Sequence, residues 1–455
     1  MLTEPADLAP YLTDHRRLYQ GAALAVARPG SVEEVARVLA LCNTHRVGVV
    51  PHGGNTGYCG GATPDESGRQ LVLALSRLNR IRSVDADNDS LIAEAGCTLA
   101  RVQAAAAAAE RFFPLSLGSE GTCQLGGNLS TNAGGTNVLR YGMARNLTLG
   151  LEVVLADGRI LEGLSVLRKD NTGYDVKSLF LGAEGTLGVI TAASVKLFPM
   201  IRSRASAFIA VAGVRAASAL LTRMRSASSD RVSSFELIPR SALELVLRHI
   251  PGSTDPLDRA YPWYVLCELT GSGEADGLDA LLEQSLAAAL TDGAILDAAL
   301  ARSGPQQDAF WGIRDSIPEA QRREGAGIKH DIALPVGKLA DFMDLAVAWV
   351  ATHVPEGRLV AYGHAGDGNL HFNISAVTPA AGAALLARTE AVRRAIHDLV
   401  RQFGGSFSAE HGIGRLKVGE LERYTSPVEL SLMQAMKRVL DPNHIMNPGK
   451  VLRQP

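Results

Sequence analysis

Between about Ala23 and Val50 the apolar positions read as strand, helix and strand. Val32, Val35, Leu39 and Cys42 recur at steps of three and four, which is one face of a helix. Ser31 offers an N-cap, and Glu34 three residues later completes a capping box. Val47 to Val50 is a short buried-strand run that Pro51 ends. A glycine-rich turn follows at once, at the C-terminal end of that strand.

To about Pro199, short β-branched runs alternate with glycine clusters. Leu151–Leu155 and Arg159–Leu161 flank Ala156-Asp157-Gly158, a hairpin with an Asp-Gly turn. From about Ser203 to Gln402 the texture shifts to long Ala/Leu/Arg stretches between apolar strands, with surface helices expected at Ala216–Ser226 and Leu278–Leu290. After Gly404-Gly405 come a dense polar motif, a helix and a Pro-rich tail. There is neither internal repeat nor low-complexity linker, so the domains should abut closely.

A chain of 455 residues exceeds what one core usually serves, so two domains are expected. The formal charge of −2, with no basic stripe, leaves nothing to attract nucleic acid or an anionic membrane. The N-terminus is acidic where a signal peptide would be basic. No apolar run approaches the roughly 18 residues of a membrane span, and a cytoplasmic location is expected. Five widely spaced cysteines argue against a disulfide framework, a zinc ribbon and an iron–sulfur cluster, and most read as small buried residues.

Three glycine clusters dominate the first 200 residues: Pro51-His52-Gly53-Gly54-Asn55-Thr56-Gly57 with Gly60-Gly61, Leu117-Gly118-Ser119 with Gly126 to Gly135, and Gly182 to Ile190. Successive backbone N–H groups in such turns form nests for phosphate. One cluster could be an ordinary tight loop; three imply a large cofactor with a pyrophosphate. No G-x-G-x-x-G lies between strand and helix, and no Walker A motif occurs, so NAD and ATP are poorly supported.

In order and spacing the clusters resemble the FAD-binding domain of the vanillyl-alcohol oxidase and p-cresol methylhydroxylase superfamily. By that resemblance Gly53, Gly54, Asn55, Thr56 and Gly57 wrap the pyrophosphate. Gly118, Ser119, Gly127, Asn128, Thr131 and Asn132 line the flavin, and Gly188 and Ile190 lie near the adenine-side strand. Pro51, Gly135, Glu184, Gly185 and Asn447 complete the expected cofactor set. Members with covalent flavin tend to carry His after the Gly-Gly pair; Asn55 stands there, so FAD is expected to be non-covalent.

Gly363-His364-Ala365-Gly366-Asp367-Gly368-Asn369-Leu370-His371-Phe372-Asn373 carries the most chemistry. Its glycines exclude a regular helix, so His364 and His371 converge through a loop bend. His371 and Asn373 alternate with Phe372 and Ile374, so a strand puts both polar groups on one side. Glu410-His411-Gly412 follows some forty residues later. Such N/O ligands with one position left open suit a catalytic divalent metal, and zinc, iron and manganese all fit; a metal-free polar pocket is the alternative.

These segments, with Arg168 to Asp175, Asp441-Pro442-Asn443 and Met446 to Lys450, resemble the branch that holds D-2-hydroxyglutarate dehydrogenases, D-lactate dehydrogenases and glycolate oxidase D subunits. The resemblance runs from roughly Ala25 to Leu452. It implies an α+β chain: an FAD-binding domain of the p-cresol methylhydroxylase type, with two α/β subdomains, over 1–200. A substrate (cap) domain over 201–404 and a C-terminal segment, 405–455, that completes the active site would follow.

The resemblance makes His364, His371 and Glu410 the metal ligands, zinc being the expected ion, and His411 the catalytic base. Asn373 contacts the substrate carboxylate, while Arg314 and Lys329 grip its distal end; read alone, Arg314 would be a surface ion pair with Asp308 or Asp315. The implied reaction oxidises a D-2-hydroxy acid, with the hydroxyl proton going to His411 and the hydride to flavin N5. One departure stands out: family members acting on D-2-hydroxyglutarate tend to carry a hydroxyl residue where this chain has Pro318. D-malate and D-lactate therefore enter as substrates. An electron-transfer flavoprotein or a quinone is the expected electron acceptor, and a homodimer is expected by family analogy. Three other readings compete: a D-lactate or glycolate dehydrogenase with an unused distal site, a metallohydrolase, and a flavin-binding subunit without turnover.

Overall fold

In a computed structural model the chain is described over residues 1–273 and 277–453. It divides into two compact units: Met1–Gly135, Tyr141–Met200 and Glu410–Pro455 form unit 1, while Thr136–Arg140 and Ile201–Ala409 form unit 2.

Unit 1 contains β1 (Ala25–Ala27), α1 (Val32–His45), β2 (Val49–His52) and β3 (Leu71–Ala74), the strands forming a parallel sheet in the order β1-β3-β2. The Ser31 hydroxyl accepts from the Glu34 N–H at 3.3 Å, as the sequence predicts. The Glu34 carboxylate reaches one residue further back, to the Gly30 N–H at 2.7 Å. Val35, Leu39 and Cys42 are buried against the sheet. Pro51 does not end β2, which runs on to His52 with Pro51 opposite Leu73. The strand lies at the sheet's edge, where a missing N–H costs no ladder bond. On that outer edge Val49 bonds to the C-terminal tail, its N–H to the Ile445 carbonyl and its carbonyl to the Asn447 N–H.

The second sheet of unit 1 is antiparallel. It comprises β4 (Ile81–Asp85), β5 (Ser90–Glu94), β6 (Thr148–Val154), β7 (Ile160–Gly163) and β8 (Val189–Lys196), ordered β4-β5-β8-β6-β7. Helices α2 (Leu99–Ala108) and α3 (Leu125–Ser130) supply buried leucines to its core. The predicted hairpin is β6–β7, with Val154 opposite Ile160. Gly158 in its turn has φ +87°, and a Cβ there would sit 2.8 Å from the Ala36 carbonyl of α1. Turn and packing thus both demand glycine.

Unit 2 holds two sheets. The first joins β9 (Ser203–Val211), β10 (Val232–Pro239), β11 (Trp263–Gly271) and β12 (Asp297–Leu300) in the order β10-β11-β9-β12. Helices α4 (Val214–Ala227) and α5 (Leu278–Thr291) bury one stripe each against it, matching the two predicted surface helices. A long helix, α6 (Gly304–Glu324), has Pro318 in its interior. The second sheet is built on β16 (Asn369–Ala376), flanked on one side by β13 (Gly327–Ile328) and β14 (Asp331–Ala333) and on the other by β15 (Gly357–Tyr362). His371 therefore lies between Asp331 and Tyr362 in register. Both units mix helices and sheets, as the α+β expectation requires. All five cysteines are buried and stand as thiols outside any disulfide, and no described helix is long and apolar enough to cross a membrane.

Candidate active site

In unit 1 the expected cofactor residues separate into two groups. A Cβ placed on Gly57, Gly118 or Gly127 would meet no heavy atom within 4 Å. At Gly53 the nearest atom would be Gln124 Oε1, at an ordinary 3.5 Å. These backbones, exposed at Gly57, Gly118 and Gly127, leave open room that side chains would fill, the cradle proposed for the cofactor. Buried polar atoms accompany it: Thr63 Oγ1, Gln124 Oε1 and Asn447 Oδ1 have no hydrogen-bond partner within the protein. Open backbone and uncommitted polar atoms fit a large polar cofactor such as FAD.

The second group holds the cradle's shape. A Cβ on Gly54 would lie 2.1 Å from the Thr122 carbonyl, and one on Gly135 2.0 Å from that of Ser116. Gly188 packs against Val153 and Phe180, Gly185 lies beneath Pro51, and Ile190 sits in the core of the antiparallel sheet. The Thr131 hydroxyl caps the Gly127 carbonyl at 3.1 Å, and Asn128 donates to Cys123 Sγ at 3.5 Å. Asn132 accepts from the Arg145 N–H at 2.9 Å. Asn55, at φ +53°, donates to the Thr13 carbonyl at 2.8 Å. Ser119 sits in the turn whose carbonyl accepts from Thr122 and Cys123, and Thr56 follows Asn55 in its loop.

Glu184 carries a function the sequence did not suggest. Its carboxylate accepts from the Ile413 and Gly414 N–H groups at 2.7 and 2.8 Å. Burial pushes its carboxyl above the usual range, with those two N–H groups and Lys417 pulling the other way. Asn447 donates to the Gly61 and Glu184 carbonyls at 2.9 and 2.8 Å. The loop after Glu410 is thus fastened to the cradle. There the His411 ring lies 4.6 Å from that of Tyr58, and its Nε2 is 3.9 Å from Glu410 Oε1. Glu410 Oε2 also accepts from the Gly135 N–H at 3.1 Å. Burial, then the Glu410 charge, raises the Tyr58 hydroxyl's pKa.

Unit 2 gathers Arg314, His364, His371 and Asn373. Arg314 on α6 is buried, so it is not the surface ion pair that its sequence neighbours suggested. Its Nε donates to Glu236 Oε2 at 2.6 Å, and its guanidinium lies 5.4 Å from the Tyr362 ring. Glu236 Oε1 takes His364 Nδ1 at 2.7 Å, and Arg314 Nη2 lies 3.4 Å from His364 Nε2. Burial alone would raise the Glu236 carboxyl; His364 and Arg314 beside it hold it down at about 2. The His364 and His371 rings are 5.5 Å apart. Asn373 Oδ1 accepts from the His330 N–H at 3.2 Å while its Nδ2 donates to Gln321 at 3.0 Å, so its amide has one orientation. Lys329 is exposed between β13 and β14, and Pro318 is exposed one helical turn beyond Arg314.

Sequence reasoning missed Glu236, Asp331 and Gln321. Glu236 had a readable signal, a lone acid among Phe235, Leu237 and Ile238 in a strand that is buried throughout. Asp331 Oδ1 lies 3.9 Å from His371 Nδ1. One cation could span that gap, since zinc bonds to nitrogen and oxygen are about 2.0–2.2 Å. The Glu410–His411 pair in unit 1 has the same spacing.

The family described as FAD linked oxidases, C-terminal domain, matches residues 201–451, and an FAD binding domain matches 23–163. The chain belongs to the FAD-linked oxidases. The D-2-hydroxyglutarate dehydrogenase of Arabidopsis thaliana is 38% identical over 97% of this chain and 77% of its own length. That of Xanthomonas citri pv. viticola is 35% identical, over 99% and 93%. Among solved structures, substrate-bound p-cresol methylhydroxylase aligns with a TM-score of 0.75 at 17% identity, covering 99% of this chain and 94% of that one. The fold expected from the glycine clusters is therefore the one present. This FAD-linked oxidase is an FAD-dependent enzyme of the D-2-hydroxy-acid dehydrogenase family.

Proposed function

We propose that the enzyme oxidises a D-2-hydroxy acid to the 2-oxo acid, using non-covalent FAD and a divalent metal, with zinc the first choice. The observation that carries this reading is the gathering of Arg314, His364, His371 and Asn373 in unit 2, with Arg314 and His364 sharing one buried carboxylate. When bound, FAD supplies the hydride acceptor and the metal supplies a Lewis acid.

His364, His371 and Glu410 are the proposed metal ligands, with Asp331 beside His371. His411 is the proposed base: its ring takes the hydroxyl proton, work worth about 10²–10⁴-fold. Its place beside Glu410 supports this. Asn373 and Arg314 would receive carboxylates, Arg314 through the nitrogens that Glu236 does not occupy, with Lys329 at the distal end. The cradle of Gly53 to Gly57, Gly118 and Gly127 would receive the cofactor.

Pro318 favours D-malate or D-lactate over D-2-hydroxyglutarate, because proline brings no donor for a second carboxylate. A D-lactate or glycolate dehydrogenase is the second reading, favoured by the same residue. An electron-transfer flavoprotein or a quinone would take the electrons, and the enzyme would act as a homodimer. The test is the anaerobic absorbance spectrum of the purified protein with a panel of D-2-hydroxy acids. Bleaching of the flavin by one of them supports the reading; a flavin indifferent to all defeats the substrate assignment.

A further inference from the structure

We infer that Glu236 is a positioning residue that sets His364 and Arg314 as one unit, so that metal affinity and carboxylate binding depend on a single buried side chain. The inference rests on the proposed roles of those two residues and adds to them.

Glu236 stands on β10 with 1% of its surface exposed. Its two oxygens face two donors: Oε1 takes His364 Nδ1 at 2.7 Å and Oε2 takes Arg314 Nε at 2.6 Å. The backbone fixes this pairing. The Leu237 N–H donates to the Gly363 carbonyl at 2.8 Å, the Gly363 N–H returns to Leu237 at 3.0 Å, and the Gly366 N–H reaches Phe235 at 3.2 Å. The residues on either side of Glu236 are therefore bonded to the segment that carries His364.

Two consequences follow. A carboxylate on Nδ1 keeps the proton there and leaves the lone pair on Nε2, the form an imidazole needs to ligate a metal once the Arg314 Nη2 that faces it at 3.4 Å turns aside. The same carboxylate holds the Arg314 fork by Nε, which fixes the plane in which its remaining nitrogens are presented. Only a carboxylate offers two acceptors at this place. The amide of Glu236→Gln has the same shape but turns an NH₂ toward one of the two donors.

The test measures zinc affinity and steady-state kinetics of Glu236→Gln and Glu236→Asp beside the wild-type holoenzyme. Glu236→Gln should keep its FAD, judged by absorbance, while zinc affinity falls about 10–100-fold. KM for acids with a second carboxylate should rise more than KM for D-lactate. Glu236→Asp, which keeps the charge, should recover part of both. Unchanged zinc affinity and KM in Glu236→Gln overturn the inference. A wild-type enzyme that binds FAD yet neither binds zinc nor reacts with any hydroxy acid overturns the active-site reading instead. Should neither variant fold, the ¹⁵N shifts of His364 in the wild-type enzyme decide: a proton on Nδ1 supports the inference, and one on Nε2 alone overturns it.

Discussion

The carboxylate of Glu184 accepts the backbone N–H of Gly414 at 2.8 Å, across 230 positions of sequence. It takes the neighbouring Ile413 N–H as well. A Cβ on Gly412 would lie 2.7 Å from the same carboxylate, at φ +74°. The loop that carries Glu410 and His411 is therefore shaped around one half-buried acid. Glu184→Ala would leave two N–H groups without their acceptor, at about 1–3 kcal/mol for each that stays dry. Urea denaturation and limited proteolysis within 410–414 should both report the loss; wild-type resistance would mean that the loop is held elsewhere.

The same acid predicts a pH dependence. Burial raises the folded pKa of Glu184 above its ordinary 4.5. The stability it contributes is thus fully present below 4.5 and is lost as pH rises through the raised folded value. Stability of Glu184→Gln should fall less than that of wild type over this range. Parallel urea-denaturation profiles against pH would contradict the assignment.

The two kinds of glycine in the cradle should separate in experiment. Gly127→Leu directs a side chain to where no atom lies within 4 Å, so the apoprotein should keep its stability while FAD affinity drops at least about tenfold, a cost of roughly 1.4 kcal/mol or more. Gly54→Ala places a Cβ 2.1 Å from the Thr122 carbonyl and should lower apoprotein stability itself. Thermal unfolding of the apoprotein and flavin titration distinguish the two, and equal behaviour would refute the division.

His411→Ala should retain bound FAD and lose substrate-dependent flavin reduction by about 10²–10⁴-fold. Rapid-mixing absorbance under anaerobic conditions measures it. Normal reduction would remove His411 from the role of base.

Arg314→Ala should hurt dicarboxylate substrates more than D-lactate, because only the former use the distal grip. It should also destabilise the fold by about 3–5 kcal/mol, since Glu236 loses a buried partner. Pro318→Thr, which restores a hydroxyl, should raise kcat/KM for D-2-hydroxyglutarate relative to D-malate. An unchanged ratio would take Pro318 out of substrate choice.

Much of the local architecture was legible because it depends on near neighbours. The Ser31 cap, the apolar face of α1 and the Asp157-Gly158 hairpin are matters of a few residues, and all three are present. Pro51 misled because its effect depends on whether its strand is an edge, which spacing cannot reveal. Arg314 misled in the same way: Asp308 and Asp315 are close in sequence, while its real partner lies 78 positions away.

What the amino-acid order by itself determined is the inventory: three glycine clusters, the His364–Asn373 segment, the Glu410-His411 pair and, through their combination, the family. Those features are local in composition and spacing, and they remain readable in an unfolded chain. The tertiary structure alone decided how each member is used. It made Gly54 and Gly188 packing residues and left Gly57 and Gly127 facing the cradle. It spent Glu184 on a distant loop and set Glu236 between Arg314 and His364. The physical reason is that a buried polar group must find its partner wherever the fold supplies one, and that partner's place in the sequence is set by strand pairing rather than by proximity along the chain.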